Sequence, residues 1–194
     1  MELQDLIVEY PNFISDECAD KIRSWFLENE HLHIDGSVSG YGESGYQNYV
    51  RLDVKKAKQS NPPPDHEISH LMTQIICDVY TNYSNIRPSV TMDYVCIKDY
   101  SVRVYEKNNG YFDCHIDQGP GGNVTRTFAV IIYLNDVVEG GETEFPHYDI
   151  KVKPEKGKVL IFPCNYLFPH SGNTPISGEK YIATAFINYK EFSC

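Results

Sequence analysis

His115 and Asp117 stand two apart in Gly110-Tyr-Phe-Asp-Cys-His-Ile-Asp117, a run that reads as a strand. Side chains two apart on a strand share a face, so an imidazole and a carboxylate are presented together while Cys114 and Ile116 face away. A second imidazole, His170, follows in Phe168-Pro-His-Ser-Gly172. Two imidazoles and one carboxylate on one side of a metal form the facial triad of non-haem Fe(II) centres. Three ligands grip the ion and leave its far side open to a co-substrate and O2. The H-x-D pair alone is a weak signal, because strand histidines are often merely packed or hydrogen-bonded. Lys180 strengthens it. In Glu179-Lys-Tyr-Ile-Ala-Thr-Ala-Phe-Ile-Asn188, alternation puts Lys180 on one face with Ile182, Thr184 and Phe186. A lysine on an inward face needs an anionic partner, since burying the charge unpaired is costly. A bound dicarboxylate would supply one. The plainer alternative is a strand-end lysine whose amine snorkels to water.

A competing motif lies earlier. His66-Glu-Ile-Ser-His70 fits H-E-x-x-H, in which two histidines on one helix face share a zinc ion and the glutamate acts as base. At about 3.6 residues per turn both imidazoles fall opposite the apolar stripe of their helix. Solvated polar residues are therefore the expected reading, and a zinc protease the poorer one.

The elements that must position these residues are two helices followed by strands. In Ser15-Asp-Glu-Cys-Ala-Asp-Lys-Ile-Arg-Ser-Trp-Phe, Ser15 is the expected N-cap, acids fill the first turn, and Ile22, Trp25 and Phe26 form an apolar face. Pro62, Pro63 and Pro64 stop any preceding strand. Asp65 is then the expected N-cap of a second helix reaching about Tyr83, with Ile68, Leu71, Met72, Ile75, Ile76 and Val79 at helical spacing. From Val90 the period shifts toward two, and strands are expected near 90–98, 100–107, 111–117, 127–134, 143–146, 149–153, 158–162, 167–171 and 179–189. Many short strands after two helices imply a mainly β fold, two sheets buttressed by helices. Residues 35–48 are rich in Gly and Ser, and Tyr41 and Tyr46 make this stretch a candidate lid over a substrate.

The 194 residues predict one domain spanning 1–194, long enough to fold without a metal or disulfide. Hydrophobic residues at 41% exclude a disordered chain, and no run is long enough to span a bilayer. Met-Glu-Leu-Gln-Asp carries no basic start of a secretory signal, and the six cysteines form no C-x-x-C pair. Both point to a cytoplasmic protein with free thiols. A net charge of −10 argues against a nucleic-acid partner.

In sequence order, several motifs resemble the prolyl 4-hydroxylase type of 2-oxoglutarate/Fe(II)-dependent dioxygenase. They are Pro11-Asn-Phe-Ile-Ser-Asp-Glu-Cys18, Val104-Tyr105, His115-x-Asp117, Arg126 with Tyr133-Leu-Asn-Asp136, Gly140-Gly-Glu-Thr-Glu-Phe-Pro146, Lys156-Gly157 with Ile161-Phe162, His170-Ser-Gly172 and Gly178-Glu-Lys-Tyr-Ile-Ala-Thr184. The resemblance covers nearly the whole chain. It implies a distorted double-stranded β-helix, or jelly roll, with helices packed on one sheet. It also implies that His115, Asp117 and His170 ligate Fe(II), that Lys180 pairs with the far carboxylate of 2-oxoglutarate, and that Tyr105, Thr143 and Tyr133 help hold that co-substrate. Arg126, Tyr41 and Tyr46 become candidates for contact with a substrate. Ascorbate is a candidate reductant. The implied reaction consumes 2-oxoglutarate and O2, releases succinate and CO2, and hydroxylates a C–H bond, with a prolyl residue of a peptide or protein as the expected target. Alternatives are the same chemistry on a free amino acid, another side chain or a nucleobase, and a non-catalytic jelly-roll binding module. No membrane partner is expected, and oligomeric state is not legible.

Overall fold

The computed structural model describes residues 1–36, 55–90, 95–119 and 123–190. The candidate-lid residues Tyr41 and Tyr46, and all of 35–48 except Asp35 and Gly36, lie outside them.

Twelve strands among the described residues form two antiparallel sheets. They are β1 (Val8–Tyr10), β2 (Ile34–Asp35), β3 (Lys55–Lys56), β4 (Lys58–Ser60), β5 (Val95–Tyr105), β6 (Tyr111–His115), β7 (Arg126–Tyr133), β8 (Thr143–Phe145), β9 (Ile150–Val152), β10 (Val159–Pro163), β11 (His170–Gly172) and β12 (Lys180–Tyr189). The larger sheet runs β1-β10-β7-β12-β5-β4-β2 and the smaller β3-β6-β11-β8-β9. This is the mainly β, double-sheet architecture expected from the sequence.

Alternation along the central strands builds two cores from the same backbone. On β12, Tyr181, Ala183, Ala185 and Ile187 face one side, joined by Val102 and Val104 of β5, Phe128, Val130 and Ile132 of β7, and Val159 and Ile161 of β10. That side carries both helices. In α1 (Asp16–Glu28) Ser15 is the N-cap, its hydroxyl accepting from the Cys18 amide, and Ala19, Ile22, Trp25 and Phe26 are buried. In α2 (Glu67–Ile86) Ile68, Met72, Ile75, Ile76, Val79 and Tyr83 are buried on one face. The other side of the sheet presents Tyr105, Ala129, Ile131, Tyr133, Leu160, Phe162, Ile182 and Phe186, packed with Phe145 and Val152 of the smaller sheet.

Three local expectations are corrected. His66, not Asp65, caps α2: a turn from Pro63 carbonyl to His66 amide (2.9 Å) delays the helix, and His66 Nδ1 accepts from the Ile68 amide (3.1 Å). The strands expected at 90–98 and 100–107 are one strand, β5, interrupted by a bulge where Asp99 takes φ 61° and the pairing with β12 shifts. Finally, β6 ends at His115, so Asp117 lies just beyond its strand.

Candidate active site

Three turns and a pair of strands bring the chemistry-bearing side chains into one cleft between the sheets. The β5–β6 turn closes tightly: a Cβ at Gly110 would stand 2.6 Å from Tyr105 Cα, so a side chain there would separate Tyr105 from the strand leading to His115. His115 and His170 are direct cross-strand partners of β6 and β11, so their rings project side by side, with centroids 4.4 Å apart. Asp117 is held next to them by its backbone, because the amides of Asp117 and Gln118 both donate to the Cys164 carbonyl at the end of β10 (3.2 and 2.9 Å). Phe112 stacks on His115 at 3.5 Å between centroids, and Phe162 stands edge-on to His170 at 4.7 Å.

His115 Nε2 lies 3.6 Å from Asp117 Oδ1, and His170 Nε2 lies 3.3 Å from Asp117 Oδ2. One donor atom from each of the three residues falls within 4.8 Å of the others. The tautomers can be worked out from the backbone. His115 Nδ1 is 2.7 Å from the Asp113 carbonyl, and His170 Nδ1 is 3.1 Å from the Phe168 carbonyl. A carbonyl only accepts, so each Nδ1 carries the proton and each neutral ring turns a bare Nε2 lone pair toward the carboxylate. Three converging acceptors repel one another unless a cation sits among them. Burial, then the neighbouring His170, lowers the pKa of His115. Burial pushes the Asp117 carboxyl up, but an imidazole that takes up a proton on Nε2, His170 first, outweighs it and holds the carboxyl well below the ordinary carboxylate range, so the oxygen is anionic. With each Nδ1 proton engaged by a carbonyl, the set can offer two imidazole nitrogens and one anionic oxygen, which fits a divalent metal and leaves one side open to the cleft.

The cleft has an empty volume of about 450 Å³, its open mouth included. Its lining includes His115, Asp117, His170, Tyr105, Arg103, Thr143, Lys180, Ile182, Thr184 and Phe186. Lys180 is the cross-strand partner of Tyr105 and is 2% exposed, so it does not snorkel. Its amine donates to the Gly141 carbonyl (2.7 Å) and lies 5.3 Å from the Tyr105 ring centre. Gly140 and Gly141, at φ 73° and 76°, make the turn that offers this carbonyl and leads into Thr143. Burial pushes the Lys180 pKa down to about 7, with Glu142 pulling weakly the other way. Thr184 Oγ1 is buried without a hydrogen-bond partner. A buried lysine with no carboxylate in contact among the described residues, in a cleft that also holds an unsatisfied hydroxyl, is suited to a small carboxylic acid.

The structure thus brings together His115, Asp117, His170, Lys180, Tyr105 and Thr143. Tyr133 joins them through its hydroxyl, 2.7 Å from Thr143 Oγ1. Arg126 stands at the side: it binds Asp99 (2.8 Å), lies over Phe186 and reaches the Asp117 carbonyl (3.4 Å). Sequence reasoning missed Arg103, which strand alternation from Tyr105 would have found, and the stacking of Phe112 on His115. It also missed Lys55, whose two-residue strand carries no periodic signal. The H-E-x-x-H residues lie elsewhere, at the start of α2. His66 caps α2 and packs against Trp25 (5.6 Å), Glu67 pairs with Lys21 (2.9 Å), and His70 is exposed. Among the described residues, the only cluster of three or more histidine, cysteine, aspartate or glutamate side chains suited to a metal is His115, Asp117 and His170.

Residues 100–188 match the 2OG-Fe(II) oxygenase superfamily. Among curated proteins the chain is similar to "Probable prolyl 4-hydroxylase 9" of Arabidopsis thaliana, 33% identical over 120 residues that cover 46% of this chain and 40% of that one. "Prolyl 4-hydroxylase 1" of the same plant is 32% identical over 109 residues, covering 46% and 38%. The chain therefore spans less than half the length of these relatives. Among solved structures, a viral collagen prolyl hydroxylase from Paramecium Bursaria Chlorella virus-1, in its 2OG complex, superposes with a TM-score of 0.72 at 21% identity, covering 95% of this chain and 96% of that one. A prolyl hydroxylase from Trichoplax adhaerens, in complex with a hypoxia inducible factor peptide fragment, gives 0.72 at 17% identity, covering 94% and 83%. These likenesses establish the jelly-roll fold.

Proposed function

We propose that the chain is a 2-oxoglutarate- and O2-dependent hydroxylase that acts on prolyl residues of a peptide or protein and works as one domain over residues 1–194. The observation that carries this is the convergence of two bare Nε2 atoms and the Asp117 carboxylate in the same cleft as a fully buried lysine. His115, Asp117 and His170 hold Fe(II), and Lys180 takes the far carboxylate of 2-oxoglutarate. When bound, the metal and co-substrate supply oxidative decarboxylation to succinate and CO2, coupled to hydroxylation of a C–H bond. The protein positions and encloses these groups. Tyr105 and Thr143 line the co-substrate cavity, Tyr133 fixes the Thr143 hydroxyl, and Thr184 offers the hydroxyl that lacks a partner. Phe112, Phe145 and Phe162 keep the imidazoles from turning and exclude water. Arg126 grips the Asp117 carbonyl and Asp99, placing it beside the substrate mouth. Ascorbate would serve as reductant.

The prolyl target is supported by the sequence relatives, whose names are prolyl 4-hydroxylases. No helix among the described residues is long and apolar enough to cross a membrane. The five described cysteines are all free, which supports a reducing, cytoplasmic setting. The test is succinate release with a panel of proline-containing peptides and their Pro→Ala counterparts. Release stimulated by the proline members alone is expected. Equal stimulation by both sets would move the target to another residue.

A further inference from the structure

The cleft holds a cation for which the co-substrate has no need. Arg103 projects from β5 on the same face as Tyr105 and opposite Ile182 of β12, and it lines the cleft with the two histidines and Asp117. Its guanidinium donates to Ser101 Oγ (3.2 Å) and lies near the Tyr105 hydroxyl. Among the described residues it forms no ion pair, whereas Arg126 nearby is tied to Asp99. Gln59 of β4 is the direct cross-strand partner of Arg103, so the two side chains leave the sheet together. Gln59 Oε1 in turn accepts from Lys55 Nζ (2.6 Å). Lys55 is 9% exposed and has no acid within ion-pair distance among the described residues. Burial and then the neighbouring Arg103 lower the Lys55 pKa to about 7, with Asp117 pulling the other way, so Lys55 is a second, partly charged amine on the Arg103 side of the cleft.

Charge counting makes the pair conspicuous. With a divalent metal, the Asp117 carboxylate, a dicarboxylate co-substrate and Lys180 in place, the centre sums to zero. The Arg103 guanidinium remains in surplus, with Lys55 partly charged near it, on a chain of net charge −10. An arginine fork facing a partly closed cleft is suited to a planar anion that it can grip with two donors.

We propose that Arg103, backed by Lys55 through Gln59, is the subsite for a carboxylate carried by the substrate, so that this chain selects acidic peptides with Asp or Glu next to the residue to be hydroxylated. The inference rests on the oxygenase reading above and narrows its substrate. The probes are capped nonapeptides with a central proline flanked by Asp, Asn or Lys. Their binding is followed by fluorescence anisotropy and their turnover by succinate release, beside a separate 2-oxoglutarate binding isotherm. The Asp peptide should bind roughly 10- to 100-fold more tightly than the Asn peptide, the range for a charge-assisted hydrogen bond, and the Lys peptide least well. Arg103→Gln should erase the Asp-over-Asn preference, Arg103→Lys should keep part of it, and Lys55→Met should reduce it by a smaller factor. Equal binding of the Asp and Asn peptides by the wild type would overturn the inference, as would a preference that survives Arg103→Gln. So would binding of none of the three by a chain that turns over 2-oxoglutarate. A loss in Arg103→Gln confined to 2-oxoglutarate affinity would also overturn it, by assigning the arginine to the co-substrate. Failure of the wild type to bind 2-oxoglutarate at all would instead overturn the oxygenase reading beneath it.

Discussion

The two faces of the seven-stranded sheet use the same backbone for opposite purposes. On β12, Tyr181, Ala183, Ala185 and Ile187 pack under α1 and α2 in an almost wholly apolar layer. One residue out of step, Lys180, Ile182, Thr184 and Phe186 line the cleft. The helix-side face buries apolar side chains against two helices. The cleft-side face leaves a lysine at a depressed pKa, a hydroxyl without a partner and three acceptors crowded together. The first arrangement lowers the free energy of the fold. The second gives up some of that stability so that a metal and a dicarboxylate can recover it on binding. A one-residue register slip of β12 would exchange the two faces, so the site depends on the apolar layer that fixes the register.

The comparison is broken most completely on the cleft side. His115→Ala or Asp117→Ala should remove succinate formation down to background, because each deletes a donor to the metal, while circular dichroism stays that of the wild type. Retained Fe(II)-dependent turnover in either variant would refute the assignment. Lys180→Met keeps the stem and deletes the charge. Breaking a buried pair costs about 3–5 kcal/mol, so half-saturation by 2-oxoglutarate should rise on the order of 10²–10³-fold or more.

The same lysine predicts a pH dependence. Its ligand-free pKa of about 7 means that the amine is charged below that value and increasingly neutral above it. Binding a carboxylate above pH 7 must then take up a proton, so 2-oxoglutarate affinity should fall as pH rises past about 7. The isotherm of Lys180→Met should lack this component. On the helix side, Ile132→Ala opens the buried layer and should cost about 2–5 kcal/mol of unfolding free energy, read by denaturant titration. The rate per folded molecule should be unchanged. A lowered rate at full occupancy of the folded state would show that the faces are not separable.

Much of the cleft-side face is legible in the sequence because its strands are long. Ten residues of β12 alternate without a break, so the face shared by Lys180 and Thr184 follows from period two alone. The pairing of His115 with His170 does not follow, because β11 has three residues and its register is set by the sheet. Asp117 reaches the site by a different route from the one that alternation suggests: the strand has ended, and two amides on the Cys164 carbonyl hold the chain in place. Lys55 and Gln59 belong to strands of two and three residues that exist only through their partners, and no local pattern announces them. Composition favours Asp65 as the cap of α2, and His66 takes the place. The choice was made by the turn from Pro63, which sequence reasoning had treated only as a strand stop.

The central claim is that one histidine cluster holds the metal and the other does not. Anaerobic equilibrium dialysis of Fe(II) against wild type, His170→Ala and the double variant His66→Ala/His70→Ala tests it directly. One equivalent should bind to the wild type and to the double variant, and His170→Ala should lose tight binding. The double variant loses the cap on α2, so a drop of about 0.5–2 kcal/mol in its stability is expected without loss of iron. Full Fe(II) binding by His170→Ala, or loss of the ion from the folded double variant, would contradict the account.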